Sequence, residues 1–388
     1  MRVLAAFDKF RDSISAAEAC AIAAGAVAAA RGDCEMDAAP LTDGGEGFTE
    51  ILTRAAGGGE TRHEVAGPRG GAVSASVGLV SMDRIPMAAR RLMGSPAAGR
   101  EGPVAIIEMA AASGISLLAP AMRDPLRASS VGTGQLILAA AAAGAGAILL
   151  GVGGSATSDL GLGALGALGI GCLAESGRRL DSPVPADWPS VRAIDGRVPG
   201  SLPPIVIACD VDNPLLGPRG AVAVYGPQKG LRPGDAASLE SESSRIAALV
   251  CAHFGRPRSL AEAPGAGAAG GIAFGLMAAA GASLAPGFDL VAAWIDLDRR
   301  IAAADVVVTG EGRFDDSSLS GKGPGMVVGR ALALGKAVHV FAGTVALSRE
   351  IPGLSAHAIT PPGVPLEGAL AETAARLRRS VLRAAASM

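Results

Sequence analysis

Residues 147–161 read AILLGVGGSATSDLG, an uncharged apolar run that leads into a loop of glycines and hydroxyl residues. The apolar run predicts a buried strand, and the loop at its end predicts a place where a ligand is held. Glycine lets backbone amides approach an anion closely, and neighbouring hydroxyls add further donors. We therefore predict that this loop binds a phosphate or a carboxylate. Its predicted phosphate contacts are Gly153, Gly154, Ser155 and Thr157.

Two other interpretations of the same loop stay open. GVGGSA matches the dinucleotide fingerprint G-x-G-x-x-A, but the acid expected about twenty residues further on is missing, Glu175 being a poor candidate. A purely structural turn is the other alternative. No Walker A loop is present, since SLSGKG (318–323) lacks the first glycine and the final Ser or Thr. A phosphotransferase built on this chain would therefore belong to neither the P-loop class nor the protein kinases.

Composition restricts the class of protein. A chain of 388 residues predicts two domains, and 49% apolar with 18% charged residues is typical of a globular protein. The net charge of −2 gives no positive field that would favour nucleic acid or an anionic membrane as a partner. Five scattered cysteines without metal spacing, and an N-terminus too short in apolar residues for a secretion signal, predict a cytoplasmic location.

The alternation of strand and helix patterns predicts an α/β fold with mostly parallel sheet. RVLAAF at the N-terminus predicts a strand, and Ser15 with Glu18 predicts a capping box at the start of a helix. LILAAAAAGAGAILLGV (136–152) predicts a buried helix, a turn and a buried strand rather than a membrane span, and AVAVYGPQKG (221–230) predicts a short strand. An antiparallel texture begins near residue 62. We therefore predict a discontinuous α/β domain, residues 1–64 plus 290–388, with an α/β domain of residues 65–289 inserted.

Lysines and acids at predicted loop tips point to phosphate chemistry. The chain has thirty arginines but four lysines, and Lys9, Lys229 and Lys322 lie in short polar, glycine-rich segments. Lysine and arginine are not interchangeable at a phosphate, so these lysines are candidate ligands. Phosphoryl transfer also needs carboxylates to hold Mg²⁺ and to orient the attacking hydroxyl. The acids at predicted strand ends are Asp8, Asp43, Glu46, Asp210, Asp212, Glu311 and Asp315.

Six motifs in order resemble the bacterial glycerate kinase family of glyoxylate and sugar-acid catabolism, over essentially the whole chain. They are FDKFRDSISAAEA (7–19), LTDGGEG (41–47), GVGGSATSDLGLGALGALG (151–169), ACDVDNPLLGPRGAVAVYGPQKG (208–230), PGAGAAGGIAFGL (264–276) and VVTGEGRFDDSSLSGKGP (307–324). The resemblance implies ATP- and Mg²⁺-dependent phosphorylation of D-glycerate, with 2-phosphoglycerate as the favoured product. It also implies one flavodoxin-like and one restriction-endonuclease-core-like α/β domain, with the active site in the interdomain cleft.

The chain departs from the family pattern at four positions. Many members read D-x-F-K-G in the first motif, where this chain has Arg11 and Asp12 after Phe10. Ser320 stands where a histidine is common, and Leu160 stands where glycine is more frequent. None of these departures removes a charge that we assign to catalysis.

Together the residues and the resemblance give a hypothesis for each role. Asp43 or Asp210 is the predicted base, and Lys229 and Lys322 neutralise charge on the transferred phosphoryl group. Arg11 and Arg313 are predicted to grip the glycerate carboxylate, because a guanidinium can bind it through two hydrogen bonds. The remaining predicted substrate contacts are Asp8, Lys9, Glu46 and Asn213. Gly267 and Gly270 are predicted to contact the nucleotide, and Asp212, Glu311 and Asp315 to support Mg²⁺.

Other functions stay open at this point. A kinase for a related small hydroxy acid would use the same motifs, and a non-catalytic sensor of sugar acids would keep the fold without turnover. The expected partners are glycerate and ATP, with no nucleic acid and no membrane. The assembly is left open, with a homodimer as one option.

Overall fold

Residues 1–94, 101–321, 323–386 and 388 are described by the computed structural model. The strands of this part of the chain are β1 (Arg2–Phe7), β2 (Glu35–Ala38), β3 (Gly59–Ala66), β4 (Ala72–Val80), β5 (Val104–Glu108), β6 (Ala147–Gly151), β7 (Gly171–Ala174), β8 (Arg179–Leu180), β9 (Val191–Asp195), β10 (Ile205–Ala208), β11 (Ser283–Ala285), β12 (Val306–Gly310), β13 (Arg313–Asp315), β14 (Ala337–Ala342), β15 (Thr344–Ala346) and β16 (Leu354–Ala358).

The helices in the same part of the chain are α1 (Ala16–Ala30), α2 (Phe48–Ala55), α3 (Met87–Met93), α4 (Ala110–Ser113), α5 (Val131–Ala142), α6 (Leu162–Ala167), α7 (Ala221–Tyr225), α8 (Ala236–His253), α9 (Ala268–Ala280), α10 (Gly287–Trp294), α11 (Leu297–Ala303), α12 (Gly323–Ala333), α13 (Leu366–Ala371) and α14 (Thr373–Ala385). The predicted α/β fold is confirmed. The contacts divide the chain into one unit of residues 1–43 with 291–388, the terminal unit, and another of residues 44–290, the central unit.

The terminal unit is built on a parallel sheet with the strand order β16-β14-β12-β1-β2. Numbered along the chain within this unit, that order is 2-1-3-4-5, so it reverses between β1 and β12. Phe7 of β1 lies opposite Gly310 of β12 in the parallel register. In open α/β sheets ligands bind outside the carboxyl ends of the strands, at the point where the order reverses. The sheet thus singles out the residues that follow Phe7 and Gly310.

Helix α1 covers one face of this sheet and starts as the sequence predicts. The Ser15 side chain accepts a hydrogen bond from the Glu18 amide (3.2 Å), and the Glu18 carboxylate accepts one from the Ser15 amide (2.8 Å). The predicted capping box is therefore confirmed, and it satisfies two amides that the helix itself leaves unbonded. The buried face of α1, which includes Ala23 and Val27, packs in a core with Phe7 and Phe341.

The central unit has a mixed sheet with the strand order β11-β10-β6-β5-β4-β3. Strands β3, β4 and β5 are antiparallel neighbours, whereas β5, β6, β10 and β11 run parallel. Residues 44–64, which are predicted to belong to the same domain as the chain termini, include α2 and most of β3, and β3 pairs with β4 of this sheet. Every residue of β6 is buried, as its apolar sequence predicts.

Two further segments test the sequence interpretation. LILAAAAAGAGAILLGV forms the second half of α5, a turn and β6, as predicted, and no helix in the described part of the chain is long and apolar enough to cross a membrane. The predicted strand at 221–230 is wrong, because Ala221–Tyr225 forms the short helix α7. Its burial is the reason: Ala221 and Val222 are both buried and the next two residues are both exposed, which is helical and not alternating.

Candidate active site

Three acids meet at the carboxyl edge of the terminal sheet. Asp8 directly follows β1, and its amide donates to the Gly310 carbonyl at 3.0 Å, so Asp8 lies beside the end of β12. Glu311 is the next residue after β12, and Asp43 follows β2 at a distance of a few residues. Three neighbouring strands, β2, β1 and β12, therefore each deliver a carboxyl group to the edge where the strand order reverses.

The Lys9 ammonium lies among these acids. Its Nζ atom is 3.2 Å from Asp43 Oδ1 and 3.9 Å from Asp8 Oδ1. The side chains of Asp8 and Lys9 are 13% and 15% exposed, whereas Asp43 is 52% exposed. Asp8 and Lys9 therefore form the inner part of the cluster, and Asp43 presents its carboxylate to the outside.

The environment of Asp8 shifts its proton affinity. Burial raises the pKa of Asp8 from 3.8 to about 7, and the nearby Asp43 and Glu311 carboxylates add to the rise, while Lys9 opposes it. A carboxyl group that titrates close to neutral pH at the end of a strand is a feature of functional sites. Asp8 can therefore hold or release a proton under physiological conditions.

The predicted carboxylate-binding arginines flank the cluster. Arg11 is exposed, and Arg313 is exposed with its Nε donating to Asp315 Oδ2 at 2.9 Å. Asp315 Oδ1 also accepts from the Ser317 amide (3.0 Å) and hydroxyl (2.5 Å). The Ser317 hydroxyl, followed by its amide and Arg313, holds the pKa of Asp315 below its ordinary value. The Asp315 carboxylate thus accepts hydrogen bonds within its own turn, and Glu311 is the better candidate to bind a metal ion.

In the central unit, two glycine turns pack backbone against backbone at the end of β6. The Gly153 amide donates to the Gly44 carbonyl at 3.0 Å, and a Cβ placed on Gly153 would lie 2.7 Å from the Gly45 nitrogen. Glycine is needed at residue 153 for this close approach. The predicted anion loop therefore packs directly against the backbone of Gly44 and Gly45.

The outer part of the loop contains backbone amides that could donate hydrogen bonds to a ligand. The Gly154 carbonyl accepts from Ile115 (2.8 Å) and the Ala156 amide donates to Ser113 (2.9 Å). The amides of Gly154 and Ser155 donate no hydrogen bond to any described residue. Gly154 is half-buried and has φ +69°, and Ser155 is 8% exposed. These two amides are donors that a bound anion could use, whereas Thr157, further along the loop, is completely buried.

Acids surround this part of the loop as well. A Cβ placed on Gly154 would lie 3.8 Å from Glu46 Oε1. Glu108, the last residue of β5, accepts from the Thr49 amide at 3.0 Å. Glu108 is not among the residues predicted from the sequence, although VAIIE (104–108) has the same pattern as the other acids, an acid at the end of an apolar strand. A phosphate at Gly154 would be repelled by Glu46 unless a cation lay between them.

The side chains of Asp210 and Asn213 already make hydrogen bonds to nearby groups of the protein. Both oxygens of Asp210 lie within hydrogen-bond distance of the Phe288 amide (3.0 and 2.9 Å), at the start of α10. The Asn213 amide nitrogen donates to the Arg219 carbonyl (2.8 Å), and its oxygen accepts from Tyr225 (2.6 Å). Asp212 is exposed and lies 3.9 Å from Arg219. As a candidate base, Asp210 is therefore less available than Asp43.

The remaining predicted residues are found in the interior or outside the described residues. Lys229 is buried and donates to the Thr157 carbonyl at 2.5 Å. A Cβ on Gly267 would lie 2.2 Å from the Pro214 carbonyl, and one on Gly270 2.0 Å from the Thr157 carbonyl, so both glycines allow close backbone contacts. Lys322 lies outside the described residues. Within the described part of the chain, no group of three or more His, Cys, Asp or Glu side chains could hold a metal ion.

Comparison with known proteins identifies the family. The sequence model of the glycerate kinase family matches residues 3–388. The glycerate kinase of Bacillus subtilis is 35% identical, covering 100% of this chain and 98% of the relative, and the glycerate 2-kinase of Escherichia coli is 35% identical over 89% of this chain and 86% of the relative. A crystal structure of a Salmonella typhimurium LT2 protein designated glycerate kinase 2 superposes with a TM-score of 0.76 and 34% identity, covering 100% of this chain and 98% of the other. With full-length matches in both sequence and structure, the chain is an enzyme that belongs to the glycerate kinase family.

Proposed function

We propose that this enzyme transfers the γ-phosphoryl group of ATP to the 2-hydroxyl of D-glycerate, giving 2-phosphoglycerate in glyoxylate and organic-acid catabolism. The observation that carries the proposal is the cluster of Asp8, Lys9, Asp43 and Glu311 at the point where the strand order of the terminal sheet reverses. Such an edge is where open α/β sheets bind ligands. The match to an Escherichia coli protein named glycerate 2-kinase supports the choice of hydroxyl.

Asp43 is the acid that we assign as the base. It is the most exposed member of the cluster, and Lys9 at 3.2 Å keeps a positive charge beside it. In the reaction, the glycerate hydroxyl oxygen forms a bond to the γ-phosphorus, the bond between that phosphorus and the ADP oxygen breaks, and the hydroxyl proton passes to Asp43. Arg11 and Arg313, both exposed, bind the glycerate carboxylate.

For the nucleotide, we propose that the amides of Gly154 and Ser155 bind a phosphate of ATP. Both amides are without a partner among the described residues, and the positive φ of Gly154 is typical of turns whose successive amides bind anions. Glu46 beside Gly154 favours a phosphate that carries a cation over a bare one.

Mg²⁺ fits the chain through Glu311. Proteins hold this ion through one or two carboxylates together with the phosphates of the substrate, so a set of three protein ligands is not needed. Glu311 is half-buried beside Asp8 and Asp43 at the sheet edge, whereas Asp315 is bonded to its own turn. When bound, the ion would neutralise charge on the phosphoryl oxygens.

A coupled assay of ADP release tests the proposal. The purified enzyme is given ATP, Mg²⁺ and one of five acids: D-glycerate, L-glycerate, glycolate, lactate or tartronate. We expect rapid ADP release with D-glycerate and release near the acceptor-free background with glycolate and lactate. A preference for another of these acids would identify that acid, and not glycerate, as the substrate. Binding of D-glycerate without ADP release from any acid would overturn the kinase assignment in favour of a sensor.

A further inference from the structure

Lys229 is a lysine in an interior position. Its side chain is 2% exposed, and its Nζ donates to the Thr157 carbonyl in the middle of the glycine loop. Burial lowers the pKa of Lys229 to about 7, and the attraction of Asp159 opposes that fall. A buried ammonium is costly and persists only where neighbouring groups compensate for the lost water. The interaction with the loop therefore provides a specific reason for a lysine at this position.

Asp159 anchors the same loop two residues further on. Its carboxylate is fully buried and accepts four hydrogen bonds: from the Ser130 amide and hydroxyl (both 2.8 Å) and from the amides of Gly161 and Gly163 (both 3.1 Å). Burial raises the pKa of Asp159, and these donors act in the opposite direction. The Asp159 carboxylate in turn favours the charged form of Lys229.

A turn of α9 holds the loop from a second side. Gly270 has φ +73°, and a Cβ at this residue would lie 2.0 Å from the Thr157 carbonyl oxygen. The Gly270 carbonyl also accepts from the Leu160 amide at 3.0 Å. The Thr157 carbonyl is therefore fixed by contact with Gly270 and by the hydrogen bond from Lys229.

We propose that Lys229 is a positioning residue that fixes the Thr157 carbonyl, and through it the Gly154–Ser155 amides, from the protein interior without touching the transferred phosphoryl group. This differs from the direct contact that the sequence predicts for Lys229, and it rests on the proposed function because the loop is taken to bind ATP. Thr157 is two residues from Ser155, so a shift of its carbonyl moves the amides that are available to a phosphate.

Chemical labelling tests the buried position in the wild-type protein. With four lysines in the chain, acetic anhydride at pH 8 followed by mass spectrometry gives the rate for each, with and without ATP, Mg²⁺ and D-glycerate. Lys336, half-buried and bonded to the Ala302 carbonyl, is the reference. We expect Lys229 to react at least about tenfold more slowly than Lys336, with or without ligands, because its side chain is 2% exposed and the structure must open locally before the reagent reaches it. A rate equal to that of Lys336 that ATP then suppresses would overturn the proposal.

Kinetics of matched variants separate positioning from direct contact. Lys229→Met should raise the KM for ATP about tenfold, the loss expected for one charge-assisted hydrogen bond, and leave the KM for D-glycerate unchanged. Gly270→Ala should do the same by displacing the Thr157 carbonyl, whereas Gly234→Ala, which has open space around its Cβ, should behave as wild type. A merely structural role would lower the active fraction, and so kcat, without moving the KM for ATP.

A conservative variant gives the sharpest contrast. Lys229→Gln keeps an uncharged donor near the Thr157 carbonyl, so it should recover part of the KM for ATP that Lys229→Met loses. A direct electrostatic contact with the phosphoryl group would be lost equally in both variants, and equal KM values for ATP in folded Lys229→Gln and Lys229→Met would contradict the proposal. Wild-type enzyme without ADP release would instead end the proposed function, while the labelling rates would still decide whether Lys229 is interior.

Discussion

The Lys9 ammonium and the Asp43 carboxylate lie 3.2 Å apart, although 34 positions separate them in the chain. Parallel pairing of β1 with β2 brings the two together, because residues that follow neighbouring parallel strands lie at the same edge of the sheet. The pair combines an exposed acid with a largely buried cation at the point where the strand order reverses. It is therefore the part of the site where we expect substitutions to act on the chemical step.

Asp43→Asn should lower kcat by about 10²- to 10⁴-fold, the usual contribution of a general base, with little change in the KM for D-glycerate. Asparagine keeps the shape of the aspartate side chain but cannot accept the proton of the hydroxyl. Steady-state kinetics by ADP release measure both constants, and Asp33→Asn, a change at an exposed acid away from the sheet edge, serves as the control. A large rise in KM at normal kcat would make Asp43 a binding residue.

Lys9→Met should reduce kcat/KM by about 10²-fold, the usual loss when one electrostatic contact to a developing charge is removed. Lys9→Arg should retain part of the activity, because the charge stays while the geometry of the donor changes. The matched control is Lys336→Met, a lysine bonded to the Ala302 carbonyl away from the cluster. Equal rates for Lys9→Met and Lys336→Met would exclude Lys9 from the site.

The raised pKa of Asp8 makes the stability of the folded enzyme decrease as pH rises. Its pKa rises from 3.8 to about 7 on folding, so between these values the folded protein binds a proton that the unfolded chain releases. The contribution of Asp8 to stability is therefore present below about pH 4 and is lost as pH rises towards 7. Asp8→Asn has no carboxyl group at this position and so does not lose this stability. The Tm of Asp8→Asn minus the Tm of wild type should therefore increase from pH 4 to pH 8.

Thermal unfolding of both proteins in a chelator-containing buffer at several pH values gives this difference. An advantage of Asp8→Asn that is largest at pH 4 and shrinks towards pH 8 would show the opposite linkage, that of a carboxylate stabilised in its charged form.

Much of the fold follows from the sequence, because its signals are local. Alternating strand and helix patterns, the Ser15 capping box and the apolar strand β6 are each decided by residues close together in the chain. The helix α7 cannot be predicted from such local signals. AVAVY is apolar throughout, and only its packing, with Ala221 and Val222 both buried, distinguishes a helix from a strand.

Four of the candidate site residues predicted from the sequence lie together in the structure, whereas another candidate lies in the interior. Asp8, Lys9, Asp43 and Glu311 stand out because charged residues follow apolar strands, and the sheet brings them to one edge. By contrast, Lys229 has the same glycine-rich surroundings as a phosphate ligand and yet is buried. Burial depends on contacts between distant residues, here with the Thr157 carbonyl 72 positions away, and the chain pattern carries no signal for such contacts.

Asp12 offers a test of how the chain tolerates its departures from the family pattern. It stands where many family members have glycine, and its φ of +60° lies in the left-handed region that favours glycine. Asp tolerates this region better than most residues, whereas alanine pays roughly 1–2 kcal/mol. Asp12→Gly should therefore be close to neutral, and Asp12→Ala less stable than Asp12→Gly by about 1 kcal/mol in urea unfolding. Equal midpoints for the two variants would contradict the backbone assignment.

The most direct test of the central claim is phosphorus NMR of the enzyme with ATP, Mg²⁺ and D-glycerate. The proposed function predicts that the ATP γ-signal falls while a new phosphomonoester resonance grows, split into a doublet by the single proton on the carbon that bears the 2-phosphate. A triplet would mean that the primary hydroxyl is phosphorylated and would contradict the assignment of the product. An unchanged ATP spectrum, with D-glycerate present and the enzyme folded, would contradict the proposed reaction itself.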